Sequence, residues 1–480
     1  MNIFSYARAH CLKPYSVFVG FLALLFFFGG SSRQDQLSNI ILYPLTAVIF
    51  VFSLSQLTTE RMIIHRNLLA FASAITFLML FHVIPLPPNV TNGLPGRGLM
   101  NEAIDLAGIR SWLPITASPI FGRHALISLL VPFTTLLLLT NFSSRDMRSL
   151  GPIVIFLAVA SAFWGIAQLA MGANSALYTY KVTHFGYAVG ALANRNHSAL
   201  FICVAIPIAD YLIFKSRKTI DVFSMYWALL CNFFLISMIV VIGSRTILLI
   251  SLFISTLSLF FCFLEKTNYL NSEQKTFFVK IVLPISSLIY ALVVIAILYI
   301  STRTSVVGAL ARTLKLDINS EDRDEVWSLV FSELWKYWPV GTGSGSYQEV
   351  FQSFEPDTFL VPAYSNHAHN DWLEVVLTLG LPGTLLLLCA VVWLFRACSK
   401  LLKAAPKNPE THWAWLGCSI VLAYALASLV DYPLRVPILS AFFVVACVWV
   451  SNGVKGSDGS RREEADPDMA TSVKAIETAN

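Results

Sequence analysis

Residues 191–213 read ALANRNHSALFICVAIPIADYLI, and the chain's architecture follows from stretches of this kind. From Ser198 to Ile213 the run is essentially apolar, and with its flank it reaches the roughly 17 to 25 residues that a helix needs to cross a bilayer. Four polar residues, Asn194, Arg195, Asn196 and His197, stand at its head. A polar cluster opening an apolar span has two readings: a polar pocket at that helix end, or plain helix capping by asparagine.

Further runs of this type fall at 15–30, 38–56, 67–86, 123–141, 150–171, 222–243, 245–264, 277–300, 372–395, 412–430 and 434–451. The expected fold class is therefore an all-α integral membrane protein with about twelve transmembrane helices. Composition agrees. The 480 residues are 56% hydrophobic and 13% charged, which leaves too little polar surface for a soluble protein of this size. The net charge of +5 is small and its basic residues form no stripe, so nucleic acid is excluded as a partner. Membrane lipids are the expected surroundings. The apolar run from Tyr15 to Phe28 ends in Gly29-Gly30-Ser31-Ser32 without a small-residue cleavage pattern, and reads as a retained first span. None of the eight cysteines falls in a segment expected outside, and no C-x-x-C occurs, which argues against disulfides and thiolate metal sites.

Orientation follows from the short loops. Arg61 and Arg66, Arg145 and Arg148, Lys215 to Lys218, Lys266 and Lys275, and Arg396 to Lys407 occupy alternate loops, which the positive-inside rule makes cytoplasmic. Both termini then lie on the cytoplasmic side of the membrane. Residues 1–300 form an N-terminal bundle, 301–371 a large periplasmic loop between late spans, 372–451 the last spans, and 452–480 a disordered cytoplasmic tail.

On that topology the outer face carries Arg33, Arg97, Arg110, Arg123, Arg195, Arg245, Arg303, Arg312, Arg323 and Arg435, against Lys181, Lys315 and Lys336. Orientation needs only point charges, whereas guanidinium suits a bidentate grip on phosphate. An anionic ligand at the outer interface is the sharper reading of this bias; snorkelling of individual arginines to headgroups is the blander one.

The run Asn366-His367-Ala368-His369-Asn370-Asp371-Trp372-Leu373-Glu374 leads directly into a span. One reading is a general base beside the arginines, whose charge disfavours imidazolium and keeps a histidine able to accept a proton. A second is a metal site using His-x-His with Asp371 or Glu374, although a third ligand is not evident. A third is capping by Asn370 or Asp371. Upstream, Asp322-Arg323-Asp324 opens an amphipathic stretch with Val326, Val330, Leu334 and Trp338 on one face and Trp327, Phe331 and Trp335 beside them. These acids suit a helix N-terminus, and the helix suits a leaflet surface. Gly341-Thr-Gly-Ser-Gly-Ser346 lacks the Gly-Lys-Ser/Thr ending of a phosphate loop and reads as a flexible turn after Pro339.

Taken together, Trp338-Pro339-Val-Gly341-Thr-Gly343-Ser-Gly345-Ser-Tyr347, then His367-Ala-His369-Asn370, nine residues, and Gly380-Leu-Pro-Gly383, resemble the signature of the O-antigen ligase and polymerase superfamily. Gly29-Gly30-Ser-Ser-Arg33, Ser244-Arg245, Arg323 before Trp327, and Asp431-Tyr-Pro-Leu-Arg435 are similar to its pattern as well. The resemblance implies transfer of a glycan from undecaprenyl diphosphate to an acceptor hydroxyl, lipid A core or another glycan, at the periplasmic face. It implies no nucleotide sugar, no metal and no cofactor.

By position, the resemblance makes His369, with His367 second, the base, and Arg245 essential. Arg195, Arg323, Arg435 and Arg33 join Arg245 as diphosphate ligands, with Asn194, Asn196, Asn370 and Asp371 in support. A single displacement would invert the anomeric carbon. The ligase is preferred to the polymerase by family naming alone. A transporter or flippase is the rival of a different class, but no internal repeat is evident and the charges gather at one face.

Overall fold

The computed structural model describes residues 13–108, 111–215, 222–266, 272–277, 319–357, 365–403 and 409–465, with isolated positions between 280 and 292. Among them the chain is helical, and an isolated antiparallel bridge joins Leu86 to Leu113. The helices used below are α1 Pro14–Phe28, α2 Asn39–Ser55, α3 Arg66–Val83, α4 Pro119–Leu139, α5 Ser144–Met171, α6 Arg195–Lys215, α7 Val222–Ile242 and α8 Arg245–Lys266. They continue with α9 Asn319–Tyr337, α10 Tyr347–Gln352, α11 Asp371–Lys403, α12 Pro409–Ala427 and α13 Pro437–Ala465.

Seven of these are long and apolar enough to cross a membrane: α3, α4, α5, α6, α8, α11 and α13. Shorter apolar helices lie at Pro14–Phe28, Asn39–Ser55, Tyr226–Ile242 and Thr411–Ala427, each on an expected span. The span expected at 277–300 lies almost wholly outside the described residues, as do residues 301–318 and 358–364 of the loop expected from residue 301. The tail expected to be disordered from residue 452 differs: α13 runs on to Ala465, since extending a formed helix is easier than starting one.

The central helix is α6. Every residue from Ala199 to Ile206 is buried, as befits a helix that is apolar all round. It packs against α5, α7, α8 and α12, while α13 lies along α12 and against α4. Peripheral helices instead expose large side chains, among them Val48 on α2, Phe77 on α3 and Phe395 on α11, forming the apolar belt that faces lipid. Among the described residues, an acidic side chain sits inside this core. Asp210 on α6 accepts from Asn232 Nδ2 on α7 at 2.9 Å, and both are fully buried.

Basic loops gather at one end of the bundle, where Arg61 bonds Asn141 and Lys455 stands beside His65 and Arg66. The histidine segment lies at the other, hereafter the site end.

At the site end α11 is broken at Gly380 (φ 58°, ψ −146°), which frees the carbonyls of Leu377 and Thr378. The glycine loop fills this break. Thr342 and Gly343 N–H donate to those carbonyls at 3.0 and 2.8 Å, and Leu381 N–H donates to Pro339 O at 2.8 Å. On its other side, Ser344 N–H donates to His82 Nδ1 at 3.2 Å and Thr116 Oγ1 donates to Ser344 O at 2.9 Å. The loop expected to be a flexible turn is thus a fastened junction. Its glycines permit close approach: a Cβ on Gly343 (φ +94°) would lie 2.1 Å from Thr116 Cα.

Helix α9 bears out the amphipathic reading in part. Val330 and Leu334 are buried against Tyr347, Phe351 and Leu377, whereas Phe331 and Trp335 are exposed. Trp327 turns inward, and its Nε1–H donates to Ala368 O at 2.8 Å, steadying the backbone between the two histidines.

Candidate functional site

Four segments distant in sequence meet at the site end: the start of α6, the start of α8, the run into α11, and residues 428–436 between α12 and α13. Local signals set each one. Asn194 accepts from Asn196 N–H at 2.8 Å and caps α6; Asn370 accepts from Leu373 N–H at 3.0 Å and caps α11. Gly243 (φ +80°) ends α7 so tightly that Ser244 and Arg245 begin α8 at once. Asp371 N–H donates to Ser428 O at 2.9 Å, tying α11 to the last loop.

Asp431 is the hub. It is buried, accepts from Asn196 Nδ2 at 2.8 Å and from Tyr432 N–H at 2.9 Å, and has His197 Nε2 at 3.6 Å and His369 Nδ1 at 3.5 Å. Asn196 in turn accepts from Ser244 Oγ at 2.9 Å, so a polar chain links α8, α6, Asp431 and His369. Burial pushes the Asp431 carboxyl up, but His197 and His369 outweigh it and hold the group well below the usual carboxylate range. The Tyr432 ring packs on three imidazoles, with centroids 5.2 Å from His197, 4.4 Å from His367 and 4.9 Å from His369. His369 holds the unusual φ of +50°, which an L-residue keeps only when its surroundings demand it.

A second carboxylate pair organises the other histidine. Glu374, buried in the first turn of α11, accepts from Ala368 N–H at 2.9 Å, faces His367 Nδ1 at 3.1 Å and pairs with Arg435 at 2.9 Å. Asp371 accepts from Arg435 Nε at 3.0 Å. Burial is the main cause that lowers the His367 pKa, with Glu374 opposing it and Arg435 adding to it. The histidines therefore differ: His367 is 14% exposed with Nδ1 engaged by Glu374, while His369 is 29% exposed.

The arginines divide as well. Arg195 lies at the first turn of α6 with its guanidinium 4.7 Å from the Tyr187 ring centroid, and Arg245 is exposed at the first turn of α8. Arg435 is held between Asp371 and Glu374, and Arg33 makes two hydrogen bonds to Asp35, at 2.9 and 2.8 Å. Arg97, grouped by sequence with the outer arginines, is buried and bound to the carbonyls of Pro114 and Ile115. Arg323 belongs to α9, but its side chain lies outside the described residues, as do Arg110, Arg303 and Arg312.

Sequence reasoning assigned no role to Asp431, Tyr432, His197, His184 or, outside a metal set, Glu374. Asp431 and Tyr432 stood in a quoted motif of which only Arg435 was used. His197 stood beside Asn196 in the polar head of α6. No local pattern marks His184.

Residues 230–388 match the family described as O-antigen ligase. The matched stretch takes in Ser244 and Arg245, α9, the glycine loop, His367 to Asn370 and the break at Gly380. Comparison with curated proteins gives no match. Over that segment, about a third of its length, this all-helical chain is similar to the O-antigen ligase family.

Proposed function

We propose that the chain transfers a glycan from undecaprenyl diphosphate to an acceptor hydroxyl, with lipid A core as acceptor, at the periplasmic face of the bacterial inner membrane. The observation that carries this reading is the partly exposed His369 held on buried Asp431, at an end of the bundle where Arg195 and Arg245 open adjacent helices.

The chemistry follows from the geometry. With Nδ1 3.5 Å from the Asp431 carboxylate, the His369 tautomer protonated on Nδ1 is favoured, which leaves the Nε2 lone pair to accept a proton. As the acceptor oxygen bonds to the anomeric carbon, Nε2 takes its proton and the bond from that carbon to the diphosphate oxygen breaks. The departing diphosphate keeps the electron pair and needs fixed positive charge, supplied by Arg245 and Arg195, with Arg323 as a further ligand. Asp431 stabilises the imidazolium that forms. Displacement from one side inverts the anomeric carbon. Arg435 and Arg33, both engaged with carboxylates, would shape the site electrostatically and meet phosphate only by exchanging those partners.

The test is transfer in proteoliposomes with undecaprenyl-diphosphate-linked glycan and lipid A core. Arg245→Lys loses most activity because an ammonium cannot grip bidentately, and His369→Ala loses nearly all. Wild-type turnover in both would remove the assignment. Glycan analysis of a deletion strain separates the acceptors: carrier-linked polymer with bare core marks a ligase, and single repeat units mark a polymerase.

A further inference from the structure

The segment between α5 and α6 brings a further imidazole to the site, one that the mechanism above leaves unused. His184 is clasped to the head of α6 by backbone bonds. Its N–H donates to Ala193 O at 3.2 Å, and Thr183 Oγ1 donates to the same carbonyl at 2.8 Å. The Arg195 backbone N–H donates to His184 Nδ1 at 3.4 Å. The ring packs edgewise on Tyr187, centroids 6.2 Å apart, and Tyr187 carries the Arg195 guanidinium on its face. Tyr187 is fixed in its turn, since Tyr178 Oη donates to its carbonyl at 3.0 Å.

This arrangement selects one tautomer. An imidazole whose Nδ1 accepts a hydrogen bond carries its single proton on Nε2. Enclosure by the surrounding segments first, and then the Arg195 charge, lower the His184 pKa, which favours the neutral ring. His184 is nonetheless solvent-exposed, and its electrostatic neighbours are Arg195, Asp431, His197 and His369, the groups of the site itself. Asp431, the carboxylate among them, already receives Asn196 and the Tyr432 N–H. An N–H donor is therefore presented beside the guanidinium that Tyr187 carries, a pairing that suits an acceptor-only anion.

We propose that His184 Nε2–H is a hydrogen-bond donor to the diphosphate of the lipid-linked substrate, acting beside Arg195; this rests on the function proposed above. A neutral donor suits a site that must release diphosphate after each transfer. It adds direction and one bond without the further charge that would retain the product.

The test uses the full-length protein in nanodiscs, titrated with undecaprenyl diphosphate, and three substitutions that separate the two ring nitrogens. Asparagine places an acceptor near the Nδ1 position and nothing near Nε2. Glutamine places its amide N–H₂ near Nε2. Alanine removes both. His184→Ala and His184→Asn are expected to weaken binding by about tenfold or more, as for loss of a hydrogen bond to a charged group, and His184→Gln to restore most of the loss. In turnover the loss falls mainly on the donor KM. Restoration by asparagine and not by glutamine would show that His184 only caps the loop on α6, and would overturn the proposal. So would wild-type affinity in all three variants. Wild-type protein that fails to bind undecaprenyl diphosphate at all would sink the diphosphate reading of the site, and this one with it.

Discussion

Replacing Asp431 by asparagine tests the site at its hub. One carboxylate oxygen accepts from Asn196, and the other from the Tyr432 N–H while facing both histidines. An asparagine amide can satisfy only one side. Turning its N–H₂ to Tyr432 would set donor against a backbone donor that cannot move. Turning it to Asn196 is easier, because Asn196 can flip its amide and Ser244 Oγ can redirect its proton. The variant therefore keeps an oxygen toward His369 and the useful tautomer, and loses only the charge. Unit charges 3.5 Å apart at an effective dielectric constant near 20 interact by about 5 kcal/mol. His369 is 29% exposed and proton transfer is partial in the transition state, so roughly half is realised, a fall in kcat of about 30- to 100-fold. The assay is transfer in proteoliposomes with donor and acceptor varied separately. Undiminished kcat, or a loss confined to KM, would refute the reasoning.

Gly343→Ala is expected to destabilise the fold by about 3 kcal/mol or more, since it adds a left-handed backbone penalty to a collision with Thr116; thermal unfolding in detergent measures it. Arg435→Ala leaves Asp371 and Glu374 without their shared partner and should cost about 3 to 5 kcal/mol, with reduced protein yield as the first sign. His65, buried beside Lys455, has its pKa lowered to about 4, by burial first. Because the folded state disfavours protonation, its contribution to stability is complete above about pH 6.5 and is lost as pH falls toward 4. The melting temperature should follow that slope, and His65→Gln should flatten it.

The helices were legible because apolar run length is a local property, and the runs from Tyr15 to Phe28 and from Ser198 to Ile213 announce themselves. His367, His369, Arg195 and Arg245 were legible for a related reason: polar residues at the mouth of an apolar run are costly without a purpose. Partnerships were not. Asn196 and Asp431 are 235 residues apart, and Arg435 and Asp371 are 64 apart; nothing local links them. Arg435 and Arg97 read as cations awaiting an anion because their internal partners could not be seen. Asp210 passed unnoticed within an apolar run, although Asn232 answers it from the next helix. The glycines at 341, 343 and 345 suggested looseness, since a sequence does not show which backbone passes within reach of each missing Cβ.

The hub has a consequence for how the protein comes into being. Asp431 is synthesised 235 residues after Asn196, so the earlier segments leave the ribosome well before the carboxylate that unites them. Until α12 and α13, the helices that flank it, are in place, the early arginines and histidines have no common anchor. A chain cut short before Asp431 would leave those groups apart, and the site would not assemble.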